Sequence, residues 1–187
     1  ERDADSLNGN FAGDALGVFE IVVELSFNGS NNNDTIFGST ENDFFLSSGG
    51  SDYLSGRGGN DTLTGGSGDD NLTGDAGNDT FHVDSGSDII TDLGGTAGSQ
   101  SDVLIVYATA TANATNVVNF TALNTTQNNS TDANNAVLTS KDGENTTIDV
   151  SAATGISKSF KLVGGTGQDS LTGGAGADII SGGGDVD

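Results

Sequence analysis

The chain has 187 residues, and its 27 acidic against 5 basic residues give a formal charge of −22. That balance, with the five basic residues Arg2, Arg57, Lys141, Lys158 and Lys161 scattered rather than grouped, excludes the electrostatic route to nucleic acid or an anionic membrane. The absence of cysteine excludes disulfides and thiolate zinc or redox sites.

Glycine contributes 30 residues, and only 33% of the chain is hydrophobic and 6% aromatic. Two kinds of chain have this composition: a disordered acidic one, and a repeat protein whose self-repulsion is relieved by cations. No apolar run approaches membrane-spanning length; the longest lies near Val103–Val106. No secretory leader is read at the start, so the sequence is expected to be a mature form or a piece of a longer protein.

In chain order, residues 1–28 read as an N-terminal capping segment. Asp5 and Asp14 stand nine apart and are followed two positions later by Leu7 and Leu16. "VFEIVVELSF" (Val18–Phe27) alternates as a strand does and is expected to cover the open edge that a solenoid leaves.

Residues 29–106 form the first expected unit. Asp34, Asp43, Asp52, Asp61, Asp70, Asp79 and Asp88 recur every nine residues, each followed two positions later by a large apolar residue: Ile36, Phe45, Leu54, Leu63, Leu72, Phe81 and Ile90. A disordered chain has no reason to keep that second column in phase with the first, so order is expected. In the phrase "GGSGDDNLT" (Gly65–Thr73) the glycines fall in the first four slots, where they permit a tight turn. The aspartate in slot six closes the turn. Slots seven to nine, such as Thr62-Leu63-Thr64, form a short strand that turns one apolar side chain inward. "TDLGGTAGSQSDVLIV" (Thr91–Val106) leaves the phrase and reads as a closing strand.

Residues 107–163 form a Thr/Asn-rich β region with strands expected at Ala136–Ser140, Thr146–Ser151 and Lys158–Val163. Its Asn-x-Ser/Thr sequons (Asn113, Asn119, Asn124, Asn128, Asn129 and Asn145) are what Asn- and Thr-rich sequence generates by chance. Residues 164–187 resume the phrase, with Asp169, Asp178 and Asp187 in slot six and Leu171 and Ile180 in slot eight.

Turns that gather backbone carbonyls and carboxylates suit a hard cation. Ca²⁺ accepts six to eight oxygens in flexible geometry, while Mg²⁺ demands a strict octahedron. Transition metals prefer His or Cys, and His82 is the single histidine.

"GGSGDDNLT" and "GGAGADIIS" (Gly173–Ser181) resemble the G-G-x-G-x-D-x-U-x nonapeptide of the repeats-in-toxin (RTX) group. The stretch "TIDVSAATGISKSFKLVGGTGQDSLTGG" is similar to what precedes such repeats in bacterial surface-layer and adhesin-like proteins. The resemblance implies an all-β fold: a parallel β-roll, or calcium-binding β-solenoid, with two nonapeptide blocks joined by an irregular β region. It implies two nonapeptides per coil, with several Ca²⁺ ions held between turns two repeats apart. The pairs would be Asp34/Asp52, Asp52/Asp70, Asp70/Asp88, Asp43/Asp61, Asp61/Asp79 and Asp169/Asp187, with Asp178 a further ligand. The early turns depart from the pattern, with Asn31, Asn32 and Glu41 at turn positions. Asp69 and Asp75 read as solvated extra acids.

No H-E-x-x-H or G-x-S-x-G is present, so no catalysis is expected within the chain. The expected function is a calcium-dependent structural module of a secreted, extracellular or cell-surface bacterial assembly, such as a surface layer, filament or large adhesin. The alternative is the folding and secretion domain of a type I secreted toxin or exoenzyme. Ice binding needs a Thr/Asn column, and slot three (Asn31, Thr40, Gly49, Gly58, Ser67, Ala76, Ser85) has none. Expected partners are further copies, stacked head to tail in calcium, with cell-surface glycans as a candidate class and neither nucleic acid nor membrane insertion.

Overall fold

Most nonapeptides of the first block make one strand and one turn, because the apolar residue in slot eight has a polar or exposed neighbour on either side and a mostly small-residue turn precedes it. The computed structural model describes residues 24–94, 101–130 and 135–184. The short strands of the first block are β1 (Ser26–Asn28), β2 (Thr35–Phe37), β3 (Phe44–Leu46), β4 (Tyr53–Ser55), β5 (Thr62–Thr64) and β6 (Asn71–Thr73). Two long strands follow, β7 (Thr80–Ile90) and β8 (Val103–Val117). Then come β9 (Asn119–Thr121), β10 (Gln127–Asn128), β11 (Ala136–Ser140), β12 (Thr147–Asp149), β13 (Lys161–Val163), β14 (Ser170–Thr172) and β15 (Ile179–Ser181).

All pairings are parallel, and those among the short strands of the first block skip a strand: β1 pairs β3, β2 pairs β4, β3 pairs β5 and β4 pairs β6. A parallel pair needs a crossover, and here it is simply the strand on the opposite wall. Two phrases therefore make one coil, and the fold is a parallel β-roll. Among the described residues no α-helix occurs, and no helix is long and apolar enough to cross a membrane.

The core is the space between the two walls. On one wall Phe27, Phe45, Leu63, Phe81 and Leu104 stand in register, and the rings of Phe27 and Phe45 stack with centroids 5.2 Å apart. On the other wall the column Ile36, Leu54, Leu72, Ile90 continues through Ala114, Leu138 and Leu162 to Ile180. The residues from Leu54 to Leu162 in that column are fully buried.

That second column joins the two nonapeptide blocks into one stack. Its first four members are 18 residues apart; Ile90, Ala114, Leu138 and Leu162 are 24 apart; Leu162 and Ile180 are again 18 apart. The Thr/Asn-rich stretch is thus wound in the same way with a longer coil. Its inward residues are partly alanines, with Ala110, Ala112 and Ala114 fully buried on β8. A smaller sheet, β9–β12–β14, aligns Phe120, Ile148 and Leu171 across a further side of these coils.

Where Val83 replaces the slot-one glycine, the backbone stays extended, so β7 runs through two phrases without a break, and Val83 is fully buried. β8 is the partner of β7 on both halves, from Val103 opposite Thr80 to Ala114 opposite Ile90. The stretch expected to be a closing strand is therefore the start of a new coil.

The capping strand expected at Val18–Phe27 overlaps the description only at its end, with residues 18–23 outside the described residues. Phe27 enters the core column instead of covering the outer face. Phe37, Phe44, Leu46 and Tyr53 remain exposed on the early coils. Phe37 meets Tyr53 at 5.8 Å between centroids, and the Arg57 guanidinium lies 5.2 Å over the Phe37 ring.

Candidate metal centre

Each slot-six aspartate from Asp43 to Asp88 uses one oxygen to tie two coils together. The backbone N–H of Asp34 donates to Asp52 Oδ1 (2.7 Å), that of Asp52 to Asp70 (2.8 Å) and that of Asp70 to Asp88 (3.1 Å). On the other turn Leu25 donates to Asp43 (2.7 Å), Asp43 to Asp61 (2.7 Å) and Asp61 to Asp79 (2.8 Å). The aspartates two repeats apart thus lie in two stacks, one along each edge of the roll. In the second block Thr146 takes the donor position for Asp169 (3.1 Å) and Phe160 that for Asp178 (2.8 Å). Asp187 and the early Asp5 and Asp14 lie outside the described residues.

The second oxygen is the informative one. In Asp52, Asp61, Asp70 and Asp88, Oδ2 is buried and has no hydrogen-bond partner. A buried acceptor left unmade costs about 1–3 kcal/mol, more for a charged group, so these four oxygens, three on one stack and one on the other, suit a cation. Calcium fits them by chemistry: the donors are hard carboxylate oxygens, and the turns around them bring backbone carbonyls. Among the described residues no three His, Cys, Asp or Glu side chains converge. An ion with six to eight ligands would therefore take one or two carboxylates from Asp52, Asp61, Asp70 and Asp88 and the rest from the main chain. Bound there, it would supply positive charge to these buried oxygens.

The glycines make room for this. A Cβ on Gly65 would fall under 3.0 Å from the Asp70 carboxylate, which folds back over its own turn. Gly68, with φ +130°, passes directly over the Gly50 carbonyl of the coil below, where no side chain fits. The turns are also laddered through slot five. The Asn42 side-chain oxygen accepts from Asn60 N–H (2.6 Å), and that of Asn60 from Asn78 N–H (2.8 Å).

The electrostatics favour a cation beside these carboxylates. Burial above all, and then neighbouring carboxylates, push Asp61 up to about 6 against the lowering effect of the Asp43 N–H. The same causes push Asp79 and Asp88 up to about 7 and raise Asp70. Asp169 goes the other way. Burial would raise it, but hydrogen bonds from Thr146, Ser140 and Gly165 outweigh that and lower it.

The sequence reading missed Asp102. It accepts the Asp79 N–H (2.9 Å) and the Gly94 N–H (2.6 Å), buried, in the slot-six place of the next coil. The signal was present, since Asp102-Val103-Leu104 is the same acid-x-apolar triplet; a longer turn puts it out of nine-residue phase. Asp92, half-buried near other carboxylates and pushed up to about 6 chiefly by burial, accepts the Gly74 and Asp75 N–H groups. Asp69 and Asp75, read as solvated acids, have structural partners. Asp69 Oδ1 accepts from Ser87 N–H (2.9 Å) in the slot-five ladder, and Asp75 Oδ2 accepts from the Ser55 hydroxyl (2.9 Å). His82 faces outward to the Tyr107 hydroxyl (Nδ1 to O 3.2 Å).

The family model described as RTX calcium-binding nonapeptide repeat (4 copies) matches residues 28–63, 55–90 and 161–187. The chain carries RTX calcium-binding nonapeptide repeats. No curated protein and no solved structure matches it. The matched segments of this RTX chain coincide with its 18-residue coils, and the unmatched stretch with its 24-residue coils. Calcium is accordingly the cation of these repeats.

Proposed function

We propose that the RTX chain is a calcium-dependent structural module of a secreted bacterial surface assembly, such as a surface layer, an extracellular filament or a large adhesin, and that it has no catalytic role of its own. The observation that carries this reading is the single core column from Ile36 to Ile180, which spends both repeat blocks and the stretch between them on one continuous scaffold. Folding and metal binding are then one equilibrium, because removing the ion leaves buried carboxylates unneutralised. At about 100-fold excess of calcium over Kd, each site adds roughly 2.7 kcal/mol.

The reading includes self-association. β15 is an end strand of the large sheet, and its slot-eight Ile180 is 50% exposed, whereas Leu162 one coil below is fully buried. A further coil of the same geometry satisfies that edge. Supplied by another copy, it makes a head-to-tail contact, which does not close on itself and grows into filaments or sheets. Light scattering in millimolar calcium, before and after chelation, with circular dichroism on the same samples, tests both parts. Loss of β signal and of mass on chelation is expected. An unchanged β spectrum in excess chelator refutes calcium-coupled folding, and a strict monomer at high concentration in calcium refutes the assembly.

A further inference from the structure

The nine-residue turns are of two kinds, although the sequence pattern treats them alike. In the first kind the slot-two residue is left-handed: Ser48 has φ 78°, Arg57 75°, Gly66 91° and Asp75 68°. These precede Asp52, Asp61, Asp70 and Asp79; Oδ2 is buried and unpartnered in the first three, and the Asp75 N–H donates to Asp92 rather than to Asp79. In the second kind slot two is not left-handed, and its N–H donates to the Oδ2 of the aspartate four residues on. Ser30 donates to Asp34 (2.7 Å), Ser39 to Asp43 (2.6 Å), Gly165 to Asp169 (3.0 Å) and Gly174 to Asp178 (2.8 Å).

The difference is a single peptide orientation with opposite consequences for a cation. With slot two left-handed, the N–H leaves the carboxylate, and its oxygen is open to an ion. Without that turn, the positive end of the N–H dipole occupies the oxygen and does the ion's neutralising work internally. The Ser39 and Ser30 hydroxyls reinforce the closed form by adding contacts to the same carboxylates, Ser30 Oγ at 3.1 Å from Asp34 Oδ2 and Ser39 Oγ at 3.3 Å from Asp43 Oδ1. Asp169 has the Ser140 hydroxyl as a further donor (3.0 Å).

We infer that calcium is confined to the open turns at Asp52, Asp61, Asp70 and Asp79, and that Asp34, Asp43, Asp169 and Asp178 close metal-free turns that cap the calcium-loaded stretch. Asp88 lies in the continuous strand β7 rather than after a turn and, with its Oδ2 also unpartnered, bounds that stretch on the far side. The inference rests on the reading of these repeats as calcium sites and divides them. It is not what motif quality suggests, since Asp169 and Asp178 follow intact glycine turns, "GGTGQD" and "GGAGAD", whereas Arg57 stands in slot two of an open one.

The test uses the whole chain. Calcium content after desalting is measured for the unmodified chain, for Asp61→Asn and for Asp178→Asn. Asp61→Asn is expected to lose at least one ion and Asp178→Asn none; equal loss overturns the inference. Because a variant can fail to fold, the second arm uses the unmodified chain crystallised in calcium, with ions located by anomalous scattering. Peaks are expected beside Asp52, Asp61, Asp70 and Asp79, and none beside Asp34, Asp43, Asp169 or Asp178. A peak at any of those four overturns the division while leaving the calcium reading intact. A chain that binds no calcium in either arm overturns both.

Discussion

Gly68→Ala isolates what the turn glycine contributes. Gly68 has φ +130°, in a region that is essentially glycine-only and costs another residue about 1–3 kcal/mol. Its new Cβ would collide with the Gly50 carbonyl oxygen. That atom is backbone and has no rotamer to yield, so the two coils must part locally. The nearest bond to be lost is Gly50 N–H to Ser67 O at 2.9 Å, worth about 1 kcal/mol. Together these give about 2–4 kcal/mol, against a total stability of about 5–15 kcal/mol for a typical domain. Two other glycines calibrate the figure. Gly143 has φ +79° but nothing within 4 Å of a Cβ, so Gly143→Ala shows the conformational penalty alone, about 1 kcal/mol. Gly184, whose Cβ would meet only the Thr166 methyl at 3.5 Å, should tolerate alanine within about 0.5 kcal/mol. Urea unfolding in saturating calcium, followed by far-ultraviolet circular dichroism, reads all three. If Gly68→Ala lowers the midpoint no more than Gly143→Ala does, the close approach of stacked turns is not what demands glycine.

Leu63→Ala, at the centre of the Phe45–Leu63–Phe81 column, should cost about 2–5 kcal/mol in the same assay, and exposed Phe37→Ala far less. Asp102→Ala removes the acceptor of both Asp79 N–H and Gly94 N–H; a loss of about 2–4 kcal/mol is expected from two charge-assisted bonds, and a loss like that of a surface substitution would remove Asp102 from the ladder. In chelator, the raised Asp61, Asp79 and Asp88 make the folded chain hold more protons than the unfolded chain between pH about 4 and 7. Stability without calcium should therefore fall as pH rises through that window. Circular dichroism in chelator at pH 5 and pH 8 checks the sign, and more β structure at pH 8 would contradict it.

The regular half of the fold was legible because its two signals are chemical and local. The slot-six acid and slot-eight apolar residue recur at fixed spacing, and each nonapeptide from Gly29 to Ile90 places them as the pattern demands. Strands were legible in the 24-residue coils at Ala136–Ser140, Thr147–Asp149 and Lys161–Val163, but the winding of these coils was not, for the opposite reason. Their inward residues include Ala110, Ala112 and Ala114, which are weak strand formers, and Thr146 and Phe160 replace the aspartate that marks the phase. Phe160 shows how little the ladder needs the acid as a donor, since its backbone N–H serves Asp178 as an aspartate's would. In the candidate centre, sequence placed the carboxylates but not their second oxygens. Whether a slot-two N–H points at the carboxylate depends on one backbone angle, and Ser39 and Ser48 adopt opposite answers with the same side chain.

The unequal strand lengths have a mechanical consequence. Ladder bonds between coils run along the stack, and a three-residue strand such as β1 or β15 contributes only a few of them. Tension applied to an end strand therefore loads one coil at a time, and coils peel off in sequence. Each 18-residue coil releases about 60 Å of chain at ~3.4 Å per residue. Peeling from either end then meets β7 and β8, which share ten residue pairs from Thr80 opposite Val103 to Ile90 opposite Ala114. A coil peeled there must break several times as many ladder bonds as a three-residue strand holds, so the chain yields in small steps at its flanks and holds at its centre.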